Sequence, residues 1–153
     1  MTNSESPRPD AIPKASSELG PLWYFLARRE WRTLAVVSAD DDDAALRLAR
    51  ALVELAGAHH AVLEVRDTVE LRQKLRLATR LETKEGGAAV GRPWRFLVPM
   101  KAVLEDPHAE DILAACDVVV LLLEKGKSRI PDALSAVGLV GRERLLGAVL
   151  ASA

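Results

Sequence analysis

The chain has 153 residues, of which 49% are hydrophobic and 28% charged, with a formal net charge of -1. This composition predicts one ordinary globular core, and the near-neutral charge excludes a global attraction to nucleic acid or anionic membranes. The single cysteine excludes an internal disulfide framework. The longest aliphatic run, Val118 to Leu123, is far shorter than the roughly 20 residues that span a bilayer. Together with an N-terminus that lacks a signal-peptide pattern, these features predict a cytoplasmic protein.

The N-terminal segment combines three prolines and four serines with scattered charges and has no apolar periodicity. This composition predicts a disordered tail over residues 1–20 and a single α/β domain over residues 21–153. An apolar cluster after Pro21 predicts a short helix that starts at this proline. Its aromatic residues Trp23 and Phe25 are candidate partner-binding side chains. The alternative is that they pack on the edge of the domain.

The next segment predicts a β-α-β unit. Thr33 to Val37 is typical of a buried strand and Ala61 to Val65 of a second strand. Between them, Ala44 to about Ala56 predicts a helix that Asp43 caps and Gly57 ends.

A second amphipathic helix is predicted from Val69 to about Glu82, with Thr68 as its cap. It is the most basic part of the chain. Its arginines Arg72, Arg76 and Arg80 are candidate contacts for an acidic partner or a phosphorylated surface. The alternative is that they form the solvated face of the helix.

The second half continues the alternation of strands and helices after a glycine-rich loop. Its predicted elements are a strand over 95–98 that Pro99 stops, a helix that starts at Asp106, a strand over 118–123, a helix over 130–137 and a strand over 145–150. Five strands alternating with helices predict a three-layer αβα domain with a mostly parallel five-stranded sheet covered on both faces.

Four consecutive aspartates, Asp40, Asp41, Asp42 and Asp43, follow the first predicted strand. A nucleotide-binding α/β protein carries glycines and a lysine at this point, which cradle phosphate through backbone N–H groups. Aspartates supply neither and repel phosphate. Three other roles stay open: capping of the next helix, binding of a divalent cation, or the acidic pocket of a receiver domain, whose sheet order is 2-1-3-4-5.

Several segments resemble one protein family. Trp31 to Ala39 followed by Leu48 to Leu52 resembles the first strand and helix of bacterial tyrosine autokinases that regulate exopolysaccharide synthesis. These belong to the deviant P-loop ATPases that include partition proteins. Asp117 to Leu123, Gly126 to Arg129 and Leu145 to Leu150 are similar in order and spacing to the closing β-α-β of that family. The resemblance implies a P-loop-NTPase-like fold.

The departures from this family all fall on its chemistry. The chain has no GxxxxGK(S/T) string, and the acidic motif of the family aligns with residues 65–67, where Asp67 is the one remaining carboxylate. Residues 96–99 lack the next carboxylate, Ala151 replaces an asparagine near the adenine, and Tyr24 is the only tyrosine. The resemblance therefore implies that nucleotide, metal and cofactor sites, catalytic residues and the tyrosine-rich tail are lost.

Other reactive residues favour structural roles. Gly126-Lys127-Ser128 predicts a turn rather than a displaced phosphate loop, because the opening glycine is missing. The adjacent His59 and His60 predict a loop rather than a metal site, since neighbouring side chains on an extended chain point apart. Cys116 is interpreted as a buried structural thiol.

These observations predict a non-catalytic pseudo-ATPase or pseudokinase-like adaptor or regulator. The resemblance implies a role in exopolysaccharide or cell-envelope synthesis. The expected partner is a membrane-bound polysaccharide-export component, which would recruit the chain to the inner membrane, or a related active ATPase, and self-association is also compatible. The alternatives are a pseudo-receiver signalling module and an enzyme with unconventional nucleotide or metal chemistry.

Overall fold

In the computed structural model, which describes residues 19–86 and 93–152, five parallel strands form one sheet. The strands are β1 (Thr33–Val37), β2 (His60–Val62), β3 (Arg95–Met100), β4 (Val118–Lys125) and β5 (Leu145–Ser152). The central strands β1 and β4 consist mainly of buried aliphatic residues, as expected for a parallel sheet covered on both faces.

Helices cover both faces of this sheet. They are α1 (Gly20–Ala27), α2 (Ala44–Ala56), α3 (Thr68–Gly86), α4 (Ala109–Ala115) and α5 (Ile130–Val140). One core cluster joins α1 and α2 to the sheet, and a second joins α3, α4 and α5 to its other face. The predicted three-layer αβα architecture is therefore confirmed. In the described ranges, every helix is too short or too polar to cross a bilayer.

The strand order is β2-β3-β1-β4-β5. From β1 the chain runs through α2 past β3 to β2, whereas from β4 it runs through α5 in the opposite direction to β5. These two helices lie on opposite faces. In open α/β sheets such a switch point leaves a crevice at the carboxyl ends of the two strands, and ligands bind there. We call the space beyond the carboxyl ends of β1 and β4 the switch crevice.

The same order bears on the receiver alternative. A receiver-like sheet has the order 2-1-3-4-5, in which the first and second strands are neighbours. Here β3 lies between β2 and β1 and pairs with both. The described sheet therefore does not have the strand order of a receiver.

The domain begins earlier than the sequence predicts. Leu19 is 2% exposed and belongs to the core under α1, and Gly20 is the first residue of that helix. The sequence places both in the tail, because a single leucine between polar residues and a glycine gives no apolar periodicity. The rest of the predicted tail, residues 1–18, lies outside the described residues.

Proline 99 lies inside β3 and does not stop it. The backbone N–H of Arg95 donates to His59 on the β2 side, and that of Phe96 donates to Arg32 on the β1 side. Because N–H directions alternate along a strand, the nitrogen of Pro99 faces the β2 side, beyond the end of β2 at Val62. The strand therefore loses no ladder hydrogen bond and continues to Met100.

Other element boundaries differ modestly. β2 ends at Val62 instead of Val65, because only Leu63 continues its pairing, through an N–H donated to Leu97, before the chain turns towards α3. The elements that run past their predicted ends are α3, β4, α5 and β5, and α4 begins three residues after Asp106. Gly86 is the last residue of α3, and the rest of the predicted glycine-rich loop, residues 87–92, lies outside the described ranges.

Candidate functional site

Three amides of the segment after β1 donate to acceptors within the chain. The N–H of Ser38 donates to the Met100 carbonyl at 2.8 Å, and that of Asp40 donates to Ser38 Oγ at 3.0 Å. At the start of α2, Ala44 N–H donates to Asp42 Oδ1 at 3.1 Å. A phosphate cradle needs such N–H groups to point at the ligand. Here these three N–H groups are satisfied by the chain itself.

These contacts also correct the predicted helix cap. Asp43 stands at the N-cap position of α2, but its side chain makes no capping hydrogen bond to the described residues. The preceding residue, Asp42, takes this role through Ala44. Similarly, α3 is capped by Asp67, whose Oδ1 accepts from Glu70 N at 2.9 Å, rather than by Thr68, which is the first helical residue.

The end of β4 reaches into the same space. Glu124 is 6% exposed, and its N–H donates to Ser128 Oγ at 2.8 Å. The Ser128 hydroxyl in turn donates to Asp40 Oδ2 at 2.5 Å, so that it ties the β4 turn to the aspartate turn. Lys127 forms a hydrogen-bonded ion pair with Asp42 and lies 4.0 Å from Glu124 Oε2.

Carboxylates and a lysine thus meet in the switch crevice. We call this set the acid–lysine cluster, which consists of Asp40, Asp42, Glu124, Lys127 and Ser128. The predicted turn at Gly126-Lys127-Ser128 is confirmed: Gly126 has φ +82°, and Lys127 N–H donates to Glu124 O at 3.0 Å. The turn places its lysine on a carboxylate of the chain.

The two central carboxyl groups have opposite pKa shifts. Burial, with the hydrogen bond to Asp42, raises the pKa of Glu124 to about 7. Burial would also raise the pKa of Asp42, but hydrogen bonds with Lys127, Glu124 and the Ala44 amide lower it to about 2. Near neutral pH, Asp42 therefore carries the charge and Glu124 holds a proton for part of the time. The hydrogen bond to Asp42 raises the pKa of Lys127, which stays protonated.

An open cavity lies beside the cluster, over the carboxyl ends of β2 and β3. Its volume is about 460 Å³. The charged side chains that line it are Asp42, Asp43, Glu64, Arg66, Glu70, Lys101 and Asp106. Both of its cations already face carboxylates, since Arg66 Nε lies 3.9 Å from Glu70 Oε1 and Lys101 Nζ lies 3.7 Å from Asp41 Oδ1. The excess of carboxylates disfavours a phosphorylated ligand here.

The acidic residues do not form a recognisable metal site. Among the described side chains, no group of three or more His, Cys, Asp and Glu is arranged to hold a metal ion. Asp67, the carboxylate left in the family's acidic motif, is used to cap α3. The ammonium of Lys127 stands where a cation would meet Asp42 and Glu124.

The two aromatic partner-binding candidates differ in their exposure. Trp23 is half-buried, and its ring centroid lies 6.2 Å from that of Trp31 and 5.1 Å from that of His60, in edge contacts. Phe25 is 41% exposed, and the Arg29 guanidinium lies 4.5 Å from its ring centroid. Trp23 therefore packs against the domain, and Phe25 is accessible.

The arginine candidates come together. Arg72, Arg76 and Arg80 are exposed on α3 and line a second cavity together with Arg32. Sequence reasoning missed Arg32, which precedes β1 and is 40 residues away from Arg72 in the chain. Only the pairing of the strands brings it next to α3.

The remaining reactive side chains are engaged in the fold. Cys116 is 3% exposed, and burial, followed by the charge of Asp117, raises its pKa to about 12. The interpretation as a buried thiol is confirmed. His59 lies edge-on to Trp94, with centroids 5.4 Å apart, and His60 contacts the carbonyl of Ala58 at 2.8 Å.

Sequence reasoning also missed Glu124 and the roles of Lys127 and Ser128. A signal was present, because Glu124 directly follows the aliphatic run of β4 and the carboxyl ends of parallel strands meet at one edge of a sheet. Which strand would lie next to β1 was the missing information.

Searches against family models, curated proteins and solved structures found no match to this chain. The resemblance to tyrosine autokinases therefore stays a prediction, and the geometry of the described residues carries the functional argument.

Proposed function

We propose that this chain is a non-catalytic, ATPase-like adaptor or regulator that acts by binding a protein partner. The observation that carries this proposal is the acid–lysine cluster in the switch crevice, the place where an α/β protein of this kind would bind its ligand. In this chain the crevice is occupied by side chains that bind one another.

The cluster opposes nucleotide binding in two ways. Its carboxylates repel phosphate, and the Asp42 carboxylate neutralises the charge of the Lys127 ammonium that a phosphate would otherwise meet. The turn amides of Ser38 and Asp40 would also have to give up their present acceptors. Each of these exchanges costs free energy that a nucleotide would have to supply.

The cellular setting of the proposal comes from the family resemblance. We propose exopolysaccharide or cell-envelope synthesis, with a membrane-bound export component or a related active ATPase as the partner. The exposed Phe25 and the arginines of α3 are available for such contacts.

The first test is calorimetric titration with ATP and with ADP in the presence of magnesium, together with a thermal-shift measurement. We expect no heat of binding and an unchanged melting temperature at millimolar nucleotide. Micromolar binding would contradict the non-catalytic proposal. An active P-loop ATPase titrated in the same buffer is the positive control.

The adaptor part needs a separate test. The purified chain would be added to an active tyrosine autokinase or partition-type ATPase encoded in the same genome, while ATP hydrolysis and autophosphorylation are measured. We expect a changed rate or a stable complex. Unchanged rates, with no complex with that enzyme or with the cytoplasmic part of its membrane partner, would count against an adaptor.

A further inference from the structure

A row of arginines on α3 faces a cavity at the amino-terminal edge of the sheet. Arg72, Arg76 and Arg80 follow one another at intervals of four residues, which places them on one side of the helix. With Arg32, Leu75 and Thr79 they line a cavity of about 670 Å³. This edge is opposite to the switch crevice, because Arg32 precedes β1 and the aspartates follow it.

The cavity has an ordered wall. The Arg32 guanidinium donates to Thr79 Oγ1 at 3.3 Å and lies 5.9 Å from the centroid of Phe96, and Thr79 Oγ1 donates to the Leu75 carbonyl at 3.0 Å. These contacts fix a cationic side chain of the sheet against the helix. The wall behind the exposed row is therefore held in place by contacts within the chain.

The described side chains of the helix, up to Arg80, leave the charges of the row unbalanced. Glu70 of this helix pairs with other cations, since its carboxylate oxygens lie 3.9 Å from Arg66 Nε and 3.8 Å from Lys74 Nζ. Among the described side chains, no carboxylate lies within 4.0 Å of Arg72, Arg76 or Arg80. Like charges one turn apart destabilise a helix. An anion that spans successive turns would remove this repulsion.

We infer that this cavity is the docking site for an acidic segment of a partner protein, whose carboxylates pair with Arg72, Arg76 and Arg80. This inference rests on the proposed adaptor function and gives the chemistry of its partner. Guanidinium groups bind carboxylates through paired hydrogen bonds, and arginine clusters recognise acidic motifs.

The surroundings favour protein over nucleic acid. Leu77, between two of the arginines on α3, is 58% exposed, and mixed arginine and apolar surfaces are typical of protein interfaces. Binding of single-stranded nucleic acid depends on aromatic stacking and a broad basic surface. The described lining of this cavity contains no aromatic side chain, and the chain has a net charge of -1.

The test is fluorescence anisotropy of the full chain with a labelled glutamate-rich peptide, compared with its glutamine analogue. We expect the glutamate-rich peptide to bind and its glutamine analogue not to bind. Binding of the acidic peptide should weaken as the salt concentration rises from about 50 to about 300 mM. The double variant Arg72→Glu/Arg76→Glu should weaken binding at least about tenfold, whereas Arg72→Lys/Arg76→Lys should keep most of it. The neutral variant Arg72→Gln/Arg76→Gln should lie between them.

The matched control is Arg47→Glu/Arg142→Glu, which makes the same change in net charge at exposed arginines outside the cavity. Equal losses in both double reversals would overturn the inference, because net charge alone would then explain binding. Failure of the acidic peptide to bind would also overturn it, as would binding of an oligothymidylate at this row in its place. These results are independent of the nucleotide titration, which tests the non-catalytic proposal by itself.

Discussion

At the scale of single residues, the most unusual group is Glu124. It stands at the end of a central strand, is 6% exposed, and faces Asp42 and Lys127. A buried carboxyl group is costly unless it is protonated or paired. Here Lys127 pairs with Asp42, and the pKa of Glu124 is raised. The cluster is thus an electrostatic unit in which Lys127, the cation of the described crevice turns, is paired with a carboxylate of the chain.

The Glu124 pKa makes stability depend on pH. It rises from 4.5 to about 7 on folding, so the folded chain holds a proton that the unfolded chain releases between these values. The free energy of unfolding should be greatest below pH 4.5 for this group and should fall as pH rises through about 7, by up to about 3 kcal/mol. Glu124→Gln cannot ionise and should flatten this profile. Urea unfolding at about pH 5 and about pH 8 measures the difference.

The control for this prediction is Glu54→Gln, which changes an exposed glutamate on α2 and should keep the parent profile. Asp42 acts in the opposite direction, because its lowered pKa makes its contribution fade only as pH falls through about 2. Titration of Asp42 therefore does not change the stability between the two pH values that are compared. An unchanged slope in Glu124→Gln would show that Glu124 is ionised throughout.

At the scale of elements, helix caps show where sequence reasoning stops. Asp42 and Asp43 are equivalent in sequence terms, and both precede α2. Asp42 differs because it forms an ion pair with Lys127, 85 residues later in the chain, and also accepts from the Ala44 amide. A local pattern cannot register such a distant contact.

This difference predicts unequal effects of two adjacent substitutions. Asp42→Ala removes the helix cap and the partner of Lys127, and should lower the free energy of unfolding by about 1 to 2 kcal/mol. Asp43→Ala changes an exposed side chain without a capping role and should stay within about 0.5 kcal/mol of the parent. Thermal unfolding of both variants measures this. Equal losses would mean that the charge run as a whole, rather than Asp42, stabilises α2.

The elements themselves could largely be predicted. Strands such as β1 and β4 are continuous aliphatic runs, and Gly57 ends α2 with φ +82°, as its position suggests. The predicted strand end at Pro99 is wrong because β3 tolerates this proline only where the neighbouring β2 has ended, and the sequence of β3 does not contain that information. The site was harder for the same reason: Asp42 and Glu124 become neighbours only through the order of the strands.

At the scale of the whole molecule, one sheet couples two cores. Along β1, Leu34 and Val36 belong to the core under α1 and α2, whereas Ala35 and Val37 belong to the core under the other helices. Neither core can lose its packing without disturbing strands that the other needs. This arrangement predicts a single cooperative unfolding transition, as is usual for domains of this size.

Fluorescence and substitution on opposite faces can test this coupling. In a Trp94→Phe background, emission comes from Trp23 and Trp31 on the α1 face. Ile112→Val, in the opposite core where the side chain is 1% exposed, should lower stability by about 1 kcal/mol. Because the cores unfold together, the urea midpoint from fluorescence should shift by the same amount as that from far-ultraviolet circular dichroism. The control Ile130→Val, at a side chain that is 75% exposed, should shift neither. A fluorescence midpoint that does not shift in Ile112→Val would show that the α1 face unfolds independently.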